Sequence, residues 1–99
     1  MKECIVKWLT EQFGDDDNLI AEVYAEYKNT LAQHLGELAE ARVAGDAVKI
    51  DRILHTIKGS AAMVGDTEVS VFAAESRKLT DPAALEAAEL KLREFASKL

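Results

Sequence analysis

The chain has 99 residues, of which 48% are apolar, enough for one compact core without disulfide or metal staples. A formal net charge of −6 and a pI near 4.8 disfavour a nonspecific grip on a phosphate backbone, so nucleic acid is not an expected partner. One cysteine, Cys4, and two histidines, His34 and His55, offer no internal disulfide and no metal-ligand cluster. No run approaches the roughly 18 consecutive apolar residues of a membrane span, and the opening MKECIVKWLTEQF mixes charges into its apolar positions, unlike a secretory leader. The expectation is a cytoplasmic protein that does not use a membrane, with the beginning at Met1 favouring a free-standing chain.

A first helix is read from about residue 2 to Phe13, with Ile5, Trp8, Leu9 and Phe13 on one side and Gly14 at its end. Asp15, Asp16, Asp17 and Asn18 then supply an N-cap and negative charge for a long second helix reaching about Ala44. This run lacks the spaced ligands of a calcium loop. The apolar positions of the second helix, Ile20, Val23, Tyr24, Tyr27, Leu31, Leu35 and Leu38, step by three and four, a stripe wide enough for two neighbours. Gly45-Asp46 interrupts and restarts the pattern, with Asp46 as N-cap of a third helix carrying Ile50, Ile53, Leu54, Ile57, Ala61 and Val64. Gly65-Asp66-Thr67 is the next break, and a fourth helix is expected to run to about Leu79. Asp81 caps a last helix with Pro82 at its first position, and Leu85, Ala88, Leu92, Phe95 and Leu99 continue the stripe. Short loops favour antiparallel neighbours. The expected architecture is an all-α, up-and-down antiparallel four-helix bundle spanning residues 1–99 as one domain, with a short N-terminal helix across one end.

Chemistry gathers in the third helix, where His55, Lys58 and Gly59 stand at i, i+3 and i+4 and share one face. At about 100° per residue, the centre of the apolar stripe lies roughly 160° from His55, so the imidazole is expected in solvent. Gly59 costs a mid-helix position about 1 kcal/mol relative to alanine, which is accounted for if something must approach the backbone beside the imidazole. An imidazole that is largely neutral near pH 7 offers a ring nitrogen that can accept a phosphoryl group. Lys58 can reach an anionic group attached to it. Val48, Asp51, Arg52 and Ala62 share the exposed face and form a candidate docking patch. No Lys-Gly follows His34, which reads as a surface or bundle-edge residue, while Trp8, Tyr24 and Tyr27 read as core and rim aromatics.

The stretch His55-Thr56-Ile57-Lys58-Gly59-Ser60-Ala61, followed by Gly65, resembles the signature of the histidine-containing phosphotransfer (HPt) domains of phosphorelays. The resemblance extends over nearly the whole chain. It implies a phosphohistidine carrier in a multistep two-component system, in which the outer ring nitrogen of His55 exchanges a phosphoryl group with a receiver-domain aspartate. Lys58 would steady the group and Gly59 would admit the receiver. Receiver domains of response regulators and hybrid sensor kinases are the implied partners. No cofactor of the chain's own is implied, magnesium belonging to the receiver. The chain departs from the commonest pattern at Leu54, read as an edge-of-stripe residue, and at Asp66, read as the cap of the next helix; these departures bear on partner choice rather than on chemistry. A phosphoacceptor segment of a histidine kinase is disfavoured by the absence of a glycine-rich nucleotide-binding region and of a proline shortly after His55. A plain helical interaction domain stays open. A monomer is expected, because no second broad apolar face is left over.

Overall fold

The computed structural model describes residues 1–99 and contains five helices and no strands: α1 (Glu3–Phe13), α2 (Asp17–Ala44), α3 (Ala47–Met63), α4 (Thr67–Ser76) and α5 (Pro82–Ser97). None is long and apolar enough to cross a membrane. Three of the five begin on an aspartate whose carboxylate accepts a backbone N–H of the first turn. Asp16 accepts from Leu19 at 3.1 Å, Asp46 from Lys49 at 3.1 Å and Asp81 from Ala84 at 3.0 Å. The acidic run before α2 is thus accounted for by helix capping. Gly45 closes α2 in the left-handed region at φ 67°, and the next amide, Asp46, donates back to Ala41 at 3.0 Å.

Helix α2 packs against α3 and α5, α3 against α4, and α4 against α5, so these four close a ring, while α1 lies on α2. The molecule is 44 Å long and about 20 Å across. At 1.5 Å per residue the 28 residues of α2 span roughly 42 Å, so this helix is the spine along which the others are laid. Its stripe is buried as read except for the half-buried Val23, with Ile20, Tyr24, Tyr27, Leu31, Leu35 and Leu38 meeting Ile50, Ile53, Ile57 and Ala61 of α3, Val69 and Ala73 of α4 and Leu92 of α5 in one core. Phe72 and Phe95 meet edge to face at 5.6 Å.

Four local expectations need correction. Leu54 is not at the edge of the stripe but 1% exposed, because α3 is covered by α4 as well as by α2 and its apolar face is correspondingly wider. Helix α4 stops at Ser76 rather than near Leu79: Lys78 and Leu79 donate to Glu75 and Ser76 in a tightened last turn before the restart at Pro82. Phe13, the last residue of α1, is exposed, whereas Ile5 and Leu9 are buried. Asp66 stands at the N-cap position of α4, yet its side chain caps nothing. The carboxylate is completely buried, taking Lys2 Nζ at 2.6 Å on one oxygen and the Tyr27 hydroxyl at 2.6 Å on the other. Burial, with the neighbouring Asp66 carboxylate second, pushes the Tyr27 phenol far above its ordinary range. For Lys2, burial pulls down, but the hydrogen bonds and charges of Asp66 and Glu68 outweigh it and the ammonium is raised.

Further polar fasteners hold the ends of the fold. The Tyr24 hydroxyl accepts from the Lys2 amide at 2.6 Å and donates to the Leu99 carbonyl at 2.9 Å. Trp8, 38% exposed, donates its indole N–H to the Met63 carbonyl at 3.0 Å, which seats α1 over the end of α3. Glu89 is buried between α2 and α5, taking Arg42 Nε at 2.7 Å and Arg93 Nη2 at 3.1 Å. The stripe of α5 therefore includes a carboxylate that hydrophobic periodicity does not reveal.

Candidate functional site

Helix α3 presents its buried face, Ile50, Ile53, Leu54, Ile57 and Ala61, to α2 and α4 and leaves His55 exposed at mid-helix. The helix is also pinned through its backbone beside the site: Ser70 of α4 donates its hydroxyl to the carbonyl of Lys58 at 3.1 Å. The imidazole is thus carried on a rod held from two sides, which fixes its height and direction.

Arg77, the residue that follows α4, reaches back across the surface to the histidine. Its Nη1 lies 3.0 Å from His55 Nδ1, and its Nε and Nη2 hold both oxygens of Asp51 at 3.0 and 3.2 Å. A guanidinium has only donors, so Nδ1 must be the acceptor and the proton of the neutral ring sits on Nε2. The Asp51–Arg77 pair is mutually reinforcing: the hydrogen bonds that Arg77 donates hold the Asp51 carboxyl below its usual range, and the same bonds raise Arg77. With Nδ1 occupied, Nε2 is the ring nitrogen left open.

Lys58 is partly buried one turn along, and its ammonium has no hydrogen bond or ion pair within the chain. Gly59 has nothing within 4 Å of where a Cβ would stand. Gly36 of α2 is equally open, so clearance alone does not single out a site; what distinguishes Gly59 is its place one turn beyond the imidazole. Val48, Arg52 and Ala62 are all exposed on α3, Val48 at 78%. Asp51 is exposed as well but committed to Arg77. Beyond Ala62 the face opens into a groove between α1 and the α3–α4 turn, lined among others by Cys4, Lys7, Trp8 and Gly65. His34 lies partly buried on α2 and takes no part in these contacts; its Nδ1 is buried without a partner.

Arg77 is the site residue that sequence reasoning missed. It approaches His55 across 22 positions of chain, from a turn that had been read as the interior of the fourth helix, and no local spacing connects the two.

The chain is thus an all-helical domain with one imidazole exposed at its surface, flanked by an unpaired cation and an open strip of backbone. The family model of the Hpt domain matches residues 22–98, and the chain belongs to that family. Its members serve histidine phosphotransfer in phosphorelay signalling, as carriers rather than ATP-using kinases, and interact with receiver domains. Neither a curated protein nor a solved structure matches the chain significantly. Helix α1 and the start of α2 precede the matched region, although Lys2 and Trp8 tie α1 to it.

Proposed function

We propose that this chain is a phosphorelay intermediate that carries a phosphoryl group on His55 between receiver-domain aspartates, or from a sensor kinase to a response regulator. The observation that carries the reading is the exposed His55, open at Nε2, one turn before a glycine with clear space above it and beside an unpaired Lys58. In acceptance, the Nε2–P bond forms while the O–P bond of a receiver's aspartyl phosphate breaks, its electron pair returning to that carboxylate. The ring attacks as the tautomer protonated on Nδ1, and that proton passes to water as the bond forms. Delivery is the reverse. Lys58 neutralises part of the charge on the bound phosphoryl group, and Gly59 lets the receiver approach the helix.

Val48, Asp51, Arg52 and Ala62 are the docking face of this proposal. The carrier has no ATP site and no cofactor of its own, magnesium being supplied by the receiver. The ring of α2 to α5 is read as an up-and-down antiparallel bundle with α1 across one end, working as a cytoplasmic monomer. Incubation with a panel of phosphorylated receiver domains and magnesium tests the proposal. Acid-labile, base-stable label is expected on the wild type and not on His55→Gln. Label persisting on that variant would move the site elsewhere, and no label with any receiver or kinase would leave an interaction module.

A further inference from the structure

We infer that Arg77, anchored by Asp51, is a positioning residue that holds the proton of the His55 ring on Nε2 and so acts as a kinetic latch on the phosphoryl group. This rests on the carrier reading for its consequence but not for its geometry. Three of the guanidinium's N–H groups are engaged at once, two on Asp51 and one on His55 Nδ1, so the donor is clamped before it meets the ring. Of the charged residues about one turn from His55 on its own helix, Asp51, Arg52 and Lys58, none is hydrogen-bonded to the ring, whereas Arg77 from the end of α4 is.

The consequence follows from counting electron pairs. In the resting ring, Nδ1 gives its lone pair to Arg77 and Nε2 carries the proton, so Nε2 has no free pair with which to attack phosphorus. Attack requires the other tautomer, with the proton on Nδ1, and that tautomer must displace Arg77. In the phosphorylated ring Nε2 carries phosphorus and Nδ1 again holds a lone pair, which suits Arg77. When the N–P bond breaks, its electron pair stays on Nε2; the ring leaves as a neutral imidazole only if Nδ1 gains a proton from water, which again displaces Arg77. Both stable states fit the guanidinium and the path between them does not. Arg77 therefore slows acceptance and release together and leaves the balance between carrier and receiver nearly unchanged. A receiver that draws Arg77 or Asp51 into its own interface would open the latch, and water alone would not.

The first test needs no partner and no phosphoryl group. Ring nitrogen shifts of His55 in the 15N-labelled full chain at about pH 8, where a free imidazole is neutral, are expected to report protonated Nε2 and a hydrogen-bonded Nδ1. In Arg77→Ala the two resonances should move toward one another as the second tautomer becomes populated, and Arg77→Lys, which keeps a donor, should restore part of the difference. Protonated Nδ1 in the wild type, or ring shifts unaltered by Arg77→Ala, would overturn the assignment.

The second test loads the ring chemically with phosphoramidate in a His34→Gln background, which leaves His55 as the one histidine. Loss of label to water is expected to be roughly 10- to 100-fold faster in Arg77→Ala, the factor corresponding to a hydrogen bond from a charged donor. Asp51→Asn should give a smaller acceleration. Unchanged loss from a folded Arg77→Ala protein would refute the latch. A chain that shows the expected tautomer and hydrolysis rates but takes no label from any receiver would refute the carrier reading and not the role of Arg77.

Discussion

Replacing Gly65 by alanine should unseat α1, and the cost can be assembled from the structure. Gly65 sits at φ 76°, in the left-handed region, where an alanine costs about 1 kcal/mol. Gly45, at φ 67°, has nothing within 4 Å of a built Cβ, so Gly45→Ala should cost that amount and no more. At Gly65 a Cβ would overlap Cβ and Cγ of Trp8, and because the Trp8 Cβ is fixed by the α1 backbone no rotamer change relieves the overlap. Trp8 must retreat, and its indole hydrogen bond to Met63 is lost at about 1 kcal/mol, with part of the packing of Ile5 and Leu9 beneath it worth a similar amount again. The sum is about 3 kcal/mol for Gly65→Ala against about 1 kcal/mol for Gly45→Ala. In a domain of this size that corresponds to melting temperatures lower by roughly 12–24 °C and 4–8 °C. Urea unfolding followed by circular dichroism, run as a double-mutant cycle with Trp8→Gly, gives the decisive comparison. In the Trp8→Gly background Gly65→Ala should cost only the backbone contribution. An equal cost in both backgrounds would show that Trp8 is not what excludes a side chain at residue 65.

Other consequences can be read from the same contacts. Asp66→Ala removes the common partner of a buried hydroxyl and an ammonium and should destabilise by roughly 3–5 kcal/mol in the same unfolding assay; Asp66→Asn, which keeps an acceptor, should cost less. Lys2 and Tyr27 both titrate above their ordinary values in the fold, so the stability they contribute is complete below their unfolded values near pH 10 and is lost as pH rises through the folded ones. Denaturation midpoints measured up the alkaline range should therefore fall, and less steeply in Lys2→Met. Gly59→Ala should raise the melting temperature, since alanine gains up to about 1 kcal/mol in an open mid-helix position. Gly59→Leu should leave the fold intact and cut transfer to receivers; full transfer in that variant would remove the clearance argument.

The parts of this fold that were legible in the sequence are those decided within a few turns of chain. Asp46 and Asp81 announce helix starts because a cap needs only the next three residues. The α2 stripe shows itself by its period, and the exposure of His55 follows from the opposite stripe on the same helix. What was not legible depends on partners distant in sequence. Asp66 has the chemistry and position of a cap, and only the arrival of Lys2 and of Tyr27 from α2 turns it inward. Glu89 looks like one more surface charge until Arg42 and Arg93 enclose it. Leu54 is decided by which neighbours α3 acquires, and Arg77 by where α4 happens to end.

The same division explains how the site can combine a rigid imidazole with a transferable group. Rigidity comes from beneath, through Leu54 and Ile57 in the core and the Ser70 bond to the Lys58 carbonyl, none of which faces the reacting atom. Above the helix, the Lys58 ammonium has no hydrogen bond or ion pair within the chain, nothing lies within 4 Å of a Cβ built at Gly59, and the carboxylate of Asp51 is held on both oxygens by Arg77. A carrier gains from such an arrangement, because a base or metal of its own placed against Nε2 would also assist water. On the proposed reading, leaving Nε2 unassisted until a partner brings the reacting carboxylate and its magnesium would make the lifetime of the bound group depend on the encounter. On the proposed carrier reading, Arg77 would then govern how long the group waits, and the surface from Val48 to Ala62 would govern which partner ends the wait.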